Sequence, residues 1–218
     1  MKSDVKTDNY EKTLNDWQER FLSMDHKKLL HKLPEIRDEG AYFSIIHFGQ
    51  KCGIEKSTGK IVSPGGQETL SLWAKFNIYT LFWYCTDPAH PAGEWVPFKS
   101  LKGASPFAPA YQRTVLDVFS RTFAGQTEAL TEACEKLGGE KLPHGDVGYQ
   151  IHAFDCMPVR FLFWDADDEF PAQSNILFDK NATDLIHVES IVTIASEGIS
   201  RLTKAAKLAV KGDAFVQN

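Results

Sequence analysis

The chain has 218 residues, 43% hydrophobic and 24% charged, an ordinary globular balance that argues against general disorder. Its formal charge of −5 is unevenly spread: residues 165–190 hold seven acidic side chains against one lysine, leaving about +1 elsewhere. There is no basic stripe of the kind a phosphate backbone demands, so nucleic-acid binding is not expected.

The first twelve residues lack an apolar signal region. The most hydrophobic window, 76–85, spans ten residues, where a membrane span needs roughly 20. The expected setting is therefore cytoplasmic with no membrane partner, and Cys52, Cys85, Cys134 and Cys156 are expected to be reduced thiols.

Tyr10, Leu14, Trp17 and Phe21 recur at helical steps and predict one amphipathic helix over residues 8–33, ended by Pro34. Residues 1–38 read as an N-terminal extension ahead of a single α+β domain over 39–212. Strand patterning starts at Ala41: residues 41–48 and 51–55 read as strands, and the turn KSTGK leads to Ile61 and Val62, suggesting a small antiparallel sheet. SPGGQET reads as a helix start, with Gly65 and Gly66 ahead of Glu68. The helix that follows, to Cys85, is apolar on nearly every face and so is expected at the centre. Residues 86–95 read as a loop.

Helical spacing resumes over 105–123, and a further helix near 126–137 stops at Gly138 and Gly139. The period then becomes two. Val147, Tyr149, Ile151 and Ala153 alternate with Gly148, Gln150 and His152, and Val159, Phe161 and Phe163 alternate with Arg160, Leu162 and Trp164. SNILFDK is a third strand, and the short connections favour an antiparallel meander. A last helix over 187–210 offers Ile191, Ile194, Ile199 and Leu202 to the core. The expected class is α+β, an antiparallel meander packed against several helices.

The most distinctive stretch, FLFWDADDEFPAQSNILFD, sets Asp165, Asp167, Asp168 and Glu169 at the end of a strand, with Asp179 beyond the next. Such carboxylates are candidates to hold a divalent cation. The competing readings are a solvated turn whose carboxylates cap backbone donors, and a docking surface for a basic partner. Around the Gly-Glu-Trp loop, Trp95, Phe98, Phe107, Tyr111 and Trp164 form an aromatic set that could line a pocket or edge the core. Its polar companions would be Glu94, Arg113, His152 and Arg160.

Three histidines stand four or five positions from cysteines: His47 with Cys52, His90 with Cys85, His152 with Cys156. No Cys-x₂₋₄-Cys pair accompanies them, so structural zinc is not expected, and a Cys85–His90 nucleophile pair rests on sequence proximity alone. GIEKSTGK misses the phosphate-loop spacing and reads as a hairpin turn. Neither a dinucleotide glycine fingerprint nor a nucleophile elbow occurs.

GEWVPFKSL, the helix pair ending EKLGGEKL, and GDVGYQIHAFDCMPVRFLFWDADDEFPAQSNILFDKNA follow one another in an order that resembles the bacterial family catalogued as domain of unknown function 3786. The resemblance covers roughly residues 40–205 and implies an anaerobic source, with some relatives carrying an iron–sulfur segment like that of corrinoid proteins. No iron–sulfur cluster is expected in this chain, because its cysteines lack cluster spacing. The resemblance brings no catalytic residues with it. The expected function is a non-enzymatic accessory or ligand-binding domain linked to anaerobic cofactor or one-carbon metabolism, with a protein partner there. The alternatives are a metal-dependent enzyme using residues 165–169 and an acidic interaction module.

Overall fold

The computed structural model describes residues 2–64, 69–86 and 91–212, with side chains from Tyr10 onward. The N-terminal helical pattern resolves into α1 (Lys2–Ser23) and α2 (His26–Lys32). The break has a local cause: Asp25 Oδ1 accepts from Lys27 N at 3.0 Å and Lys28 N at 3.2 Å, so it caps a new helix. Phe21, Leu29, Leu33 and Ile36 from this segment join the same apolar cluster as the later strands.

Strands β1 (Arg37–Asp38), β2 (Tyr42–His47), β3 (Gln50–Glu55) and β4 (Ile61–Val62) form the expected small antiparallel sheet in chain order. Gly65, Gly66 and Glu68 lie outside the described residues, and helix α3 (Leu72–Tyr84) starts at an N-cap, Ser71, whose hydroxyl accepts from Ala74 N. The central position expected for α3 is borne out: Ala74, Ile78, Tyr79 and Leu81 are buried between α1 and α8 (Val188–Ala206). Trp17 of α1 stacks on Tyr79 with centroids 6.2 Å apart.

The second sheet is five-stranded, in the order β5-β9-β8-β7-β6. Its middle is the expected meander, β7 (Val147–Phe154), β8 (Met157–Trp164) and β9 (Gln173–Asp179). Two short edge strands complete it, β5 (Trp95–Pro97) and β6 (Glu140–Lys141), where sequence periodicity had shown only a loop and a helix end. Three residues are too few to display a period, and Pro97 is tolerated because β5 is an edge. The region 105–123 is likewise not one helix. It runs through α4 (Ala108–Tyr111), a π-helical segment (Gln112–Leu116) and α5 (Asp117–Phe123), with Asp117 N bonded to Gln112 O. Helix α6 (Thr127–Lys136) and the short α7 (Ala182–Leu185) complete the fold.

The two sheets meet at one carbonyl. The β7–β8 register shifts between His152 and Phe154, leaving Ala153 as a bulge outside that ladder. Its oxygen accepts instead from Phe48 N at 3.0 Å and from His47 Nδ1 at 2.8 Å, both at the tip of the β2–β3 hairpin. That tip turns through Phe48 and Gly49, with φ of 46° and 75°, the backbone of a type I′ turn. A bulky residue at positive φ costs of order 1–3 kcal/mol. Burying the ring contributes about 1.5–3 kcal/mol, enough to hold it there. Phe48 is buried against α8 at Gly198, where an added Cβ would come within 3.2 Å of Phe48 Cζ and 2.5 Å of Phe161 Cζ.

His47 carries this joint into the helices. With Nδ1–H donated to Ala153, its Nε2 accepts from Asn77 Nδ2 at 3.4 Å, and Asn77 Oδ1 accepts from Thr193 Oγ1 at 2.5 Å. Burial, together with the nearby Arg201 guanidinium, pushes the His47 pKa down to about 3. The unfolded chain, at about 6.5, takes up that proton first, so stability is full above pH 6.5 and falls by up to about 1.4 kcal/mol per pH unit below it. Replacing His47 with Gln removes this term. Denaturation at pH 7 and pH 5 is expected to show the wild type losing about 2 kcal/mol more than the variant over that interval; parallel losses would contradict the assignment.

Candidate functional site

The aromatic and polar residues picked out by sequence divide between two places. On the outer face of the larger sheet, the Arg160 guanidinium lies 3.7 Å above the Trp95 ring and donates from Nε to Gln150 Oε1 at 3.1 Å. His152 shares that face, exposed at the β7 end, and Trp164 is exposed at the end of β8. Glu94 is an exposed ion-pair partner of Lys180 at 2.8 Å. Tyr111 lies elsewhere, buried at the end of α4, and Arg113 is exposed on the π segment. The sheet thus brings Trp95 and Arg160 together and leaves the others apart.

Tyr111 belongs to a groove that runs between β9 and the α4–π–α5 segment. One part is a cleft of about 270 Å³ whose lining includes Pro97, Phe98, Lys99, Tyr111, Gln112 and Asn175. The second, about 480 Å³, is lined by Gln112, Asp117, Ser120, Arg121 and the chain from Pro171 to Ser174. Both share Gln112 and Ser174, so they are neighbouring clefts along the same wall.

The π turn shapes this wall. Side chains three or four apart share a face in an α-helix, whereas here Gln112 Nε2 reaches Asp117 Oδ1, five residues on, at 2.7 Å. Ser174 ties the opposite wall to the helix, donating to Leu116 O at 2.9 Å and accepting from Ser120 Oγ at 2.9 Å. Tyr111 stacks on Phe98 at 4.1 Å and 15°. Its hydroxyl is buried with no hydrogen-bond partner among the described residues, and desolvation raises its pKa well above the usual phenol value. Glu35 Oε1 and Ser63 Oγ are also buried and unpartnered, but neither residue lines the groove.

The acidic segment is a capped turn. Asp165 Oδ1 accepts from Gly125 N and Ala166 N, while Asp165 N donates to Asp146 Oδ2. Asp167 Oδ1 accepts from Glu169 N and Phe170 N, which lowers its pKa. Asp168 and Glu169 are exposed, as is Phe170 at 59%. Asp179 stands at the far end of β9, six residues from Gln173, or roughly 20 Å at strand rise. Its oxygens accept from Ala92 N, Gly93 N and Asn181 N. Repulsion among these carboxylates is relieved by backbone donors, and among the described residues no group of three His, Cys, Asp or Glu is placed to hold a metal ion.

Among the described residues the Cys–His pairs do not converge either. His47 is engaged by Ala153 and Asn77, and His90 lies outside the described residues. His152 lies 3.4 Å from Asp155 O. Burial pushes the Cys52 and Cys134 thiols up to about 12 and raises Cys156 further, so these three stay protonated at neutral pH.

The family profile described as Domain of unknown function (DUF3786) matches residues 28–201. The chain belongs to this family. No curated protein and no solved structure matches it. Among the described residues, no helix of this DUF3786 domain is long and apolar enough to cross a membrane.

Sequence reasoning picked out Phe98 and Tyr111 but missed Lys99, Gln112, Arg121, Ser174 and Asn175. Nothing in a helical period announces a π turn, and polar residues on a strand edge look like any solvated face. The Asp179 caps yield a direct check: Asp179→Ala is expected to lose about 3 kcal/mol, because three backbone donors lose their carboxylate. Asp168→Asn should change stability by less than about 0.5 kcal/mol. Calorimetry with and without Mg²⁺ would settle the matter, and a cation-dependent melting shift abolished by either change would contradict the capped-turn assignment.

Proposed function

We propose that this DUF3786 domain is a non-enzymatic binding domain whose ligand occupies the groove between β9 and the π segment. The observation that carries the reading is the Tyr111 hydroxyl, buried beside the groove without a partner among the described residues. Leaving such a group unpaired costs roughly 1–3 kcal/mol. The hydroxyl has no surface of its own on the cleft, so a ligand acceptor would satisfy it only if the Tyr111 ring turned toward the space it lines. The π turn, a departure from helical regularity common at binding sites, widens the wall at the same place. Protonated thiols and carboxylates committed to backbone donors leave no activated nucleophile among these groups, which favours binding over catalysis. The tie to anaerobic cofactor or one-carbon metabolism rests on the family resemblance alone.

Tyr111→Phe separates the readings. An unpaired hydroxyl predicts a variant as stable as the wild type or more so by about 1 kcal/mol, since only a desolvated polar atom is removed. In a thermal-shift screen of polar metabolites, hits that raise the wild-type melting temperature should raise that of the variant less. A variant destabilised by about 1 kcal/mol or more would mean that the hydroxyl already has a partner, and the reading would fail.

A further inference from the structure

Among the described residues, Phe170 is the most exposed large hydrophobic side chain, at 59%. Its backbone is nevertheless held on both groups: Phe170 N donates to Asp167 Oδ1 at 2.7 Å, and Phe170 O accepts from Asp167 N at 3.0 Å. Pro171 follows and fixes the chain further. The ring is thus offered to solvent from a closed turn, so covering it costs little backbone entropy. Residues 165–170 surround it with four carboxylates and no basic side chain.

A surface of the opposite character lies on the helices. A cleft of about 220 Å³ opens between α2 and the ends of α1 and α3, with Met24, Leu29, Phe82 and Trp83 on its apolar side and Lys28 and Lys32 on the other. A cavity of about 150 Å³ accepts a benzene ring, so a phenylalanine side chain has room here. Asp25 also lines the cleft and keeps its charge, but residues 19–32 hold Arg20 and three lysines against Glu19 and Asp25. The surroundings are net positive. Lys27 and Lys28 are exposed, and the Arg20 guanidinium lies 5.4 Å over the Trp83 ring.

The two surfaces belong to opposite ends of β8. The acidic turn follows Trp164, whereas Glu35, three residues beyond α2, accepts from the backbone of Asp155 and Cys156, just ahead of Met157. Eight residues at strand rise put those ends roughly 23 Å apart. One molecule therefore does not seat its own turn in its own cleft, yet the chain carries both halves of the pair.

We propose that Phe170 and the acidic turn of one copy dock into the α2 cleft of a second copy, the ring against Met24 and Trp83 and the carboxylates toward Lys27 and Lys28. The contact is head to tail. Each pair leaves one turn and one cleft unused, so association continues past the dimer into a ring or a chain.

Sedimentation velocity of the full chain, from micromolar to millimolar at low salt, is expected to show a mass that rises with concentration beyond the dimer. About 0.5 M NaCl should reduce it. Phe170→Ser and the double change Lys27→Glu/Lys28→Glu should each weaken association about tenfold or more. All three positions are exposed, and glutamates suit the first turn of a helix, so both variants should melt as the wild type does. Mixed together, the two variants should form a heterodimer and stop there, because one supplies the cleft and the other the turn. A wild type that stays monomeric throughout would overturn the proposal, even if the blocked peptide Ac-Asp-Ala-Asp-Asp-Glu-Phe-Pro-NH₂ bound, since the occupant would then be another protein. Association that survives in both variants, or a mixture that fails to pair, would overturn it as well.

Discussion

Two donors from one hairpin tip converge on the carbonyl of Ala153, and the rest of the architecture is arranged around that joint. The oxygen is available only because a β-bulge removes it from the β7–β8 ladder. It takes the Phe48 amide and the His47 imidazole, and so fastens the small sheet to the large one. The relay through Asn77 to Thr193 then fixes α3 and α8 to the same point. Glycine at 198 lets Phe48 and Phe161 close against α8 where any larger residue would collide. A buried polar relay of this kind is favourable only when every member is satisfied, and here each is.

The joint also decides where the groove can be. With β7 anchored at its bulge, the meander places β9 on the side away from β6, where β5 pairs with it over three residues. The helical stretch opposite is not a regular α-helix, and its π turn sets Gln112 against Asp117, five residues on. Ser174 and Ser120 pin the floor of the groove while Lys99 and Arg121 remain at its two clefts.

Much of this was legible in the sequence where a period had room to repeat. The alternation through Val147, Tyr149 and Ile151 and through Val159, Phe161 and Phe163 marked the meander, and Ile191, Ile194, Ile199 and Leu202 marked the buried face of α8. What stayed hidden has no period: the cap at Asp25, the bulge at Ala153, the π turn at Gln112 and the three residues of β5. The acidic run was conspicuous for its charge, yet the contacts of Asp165, Asp167 and Asp179 are with backbone N–H groups, which no composition reveals. Tyr111 was visible as an aromatic near a loop, but its solitary hydroxyl could be recognised only in three dimensions.

If the Ala153 joint holds the two sheets as one cooperative unit, the Phe48 amide can exchange with solvent only when the whole domain opens. Native-state hydrogen exchange across a urea series measures this directly. The account predicts that Phe48 and the core amide of Ile151 share one opening free energy and one urea dependence. A Phe48 amide that exchanges through a smaller opening, releasing residues 37–62 while β7 and β8 stay protected, would contradict it.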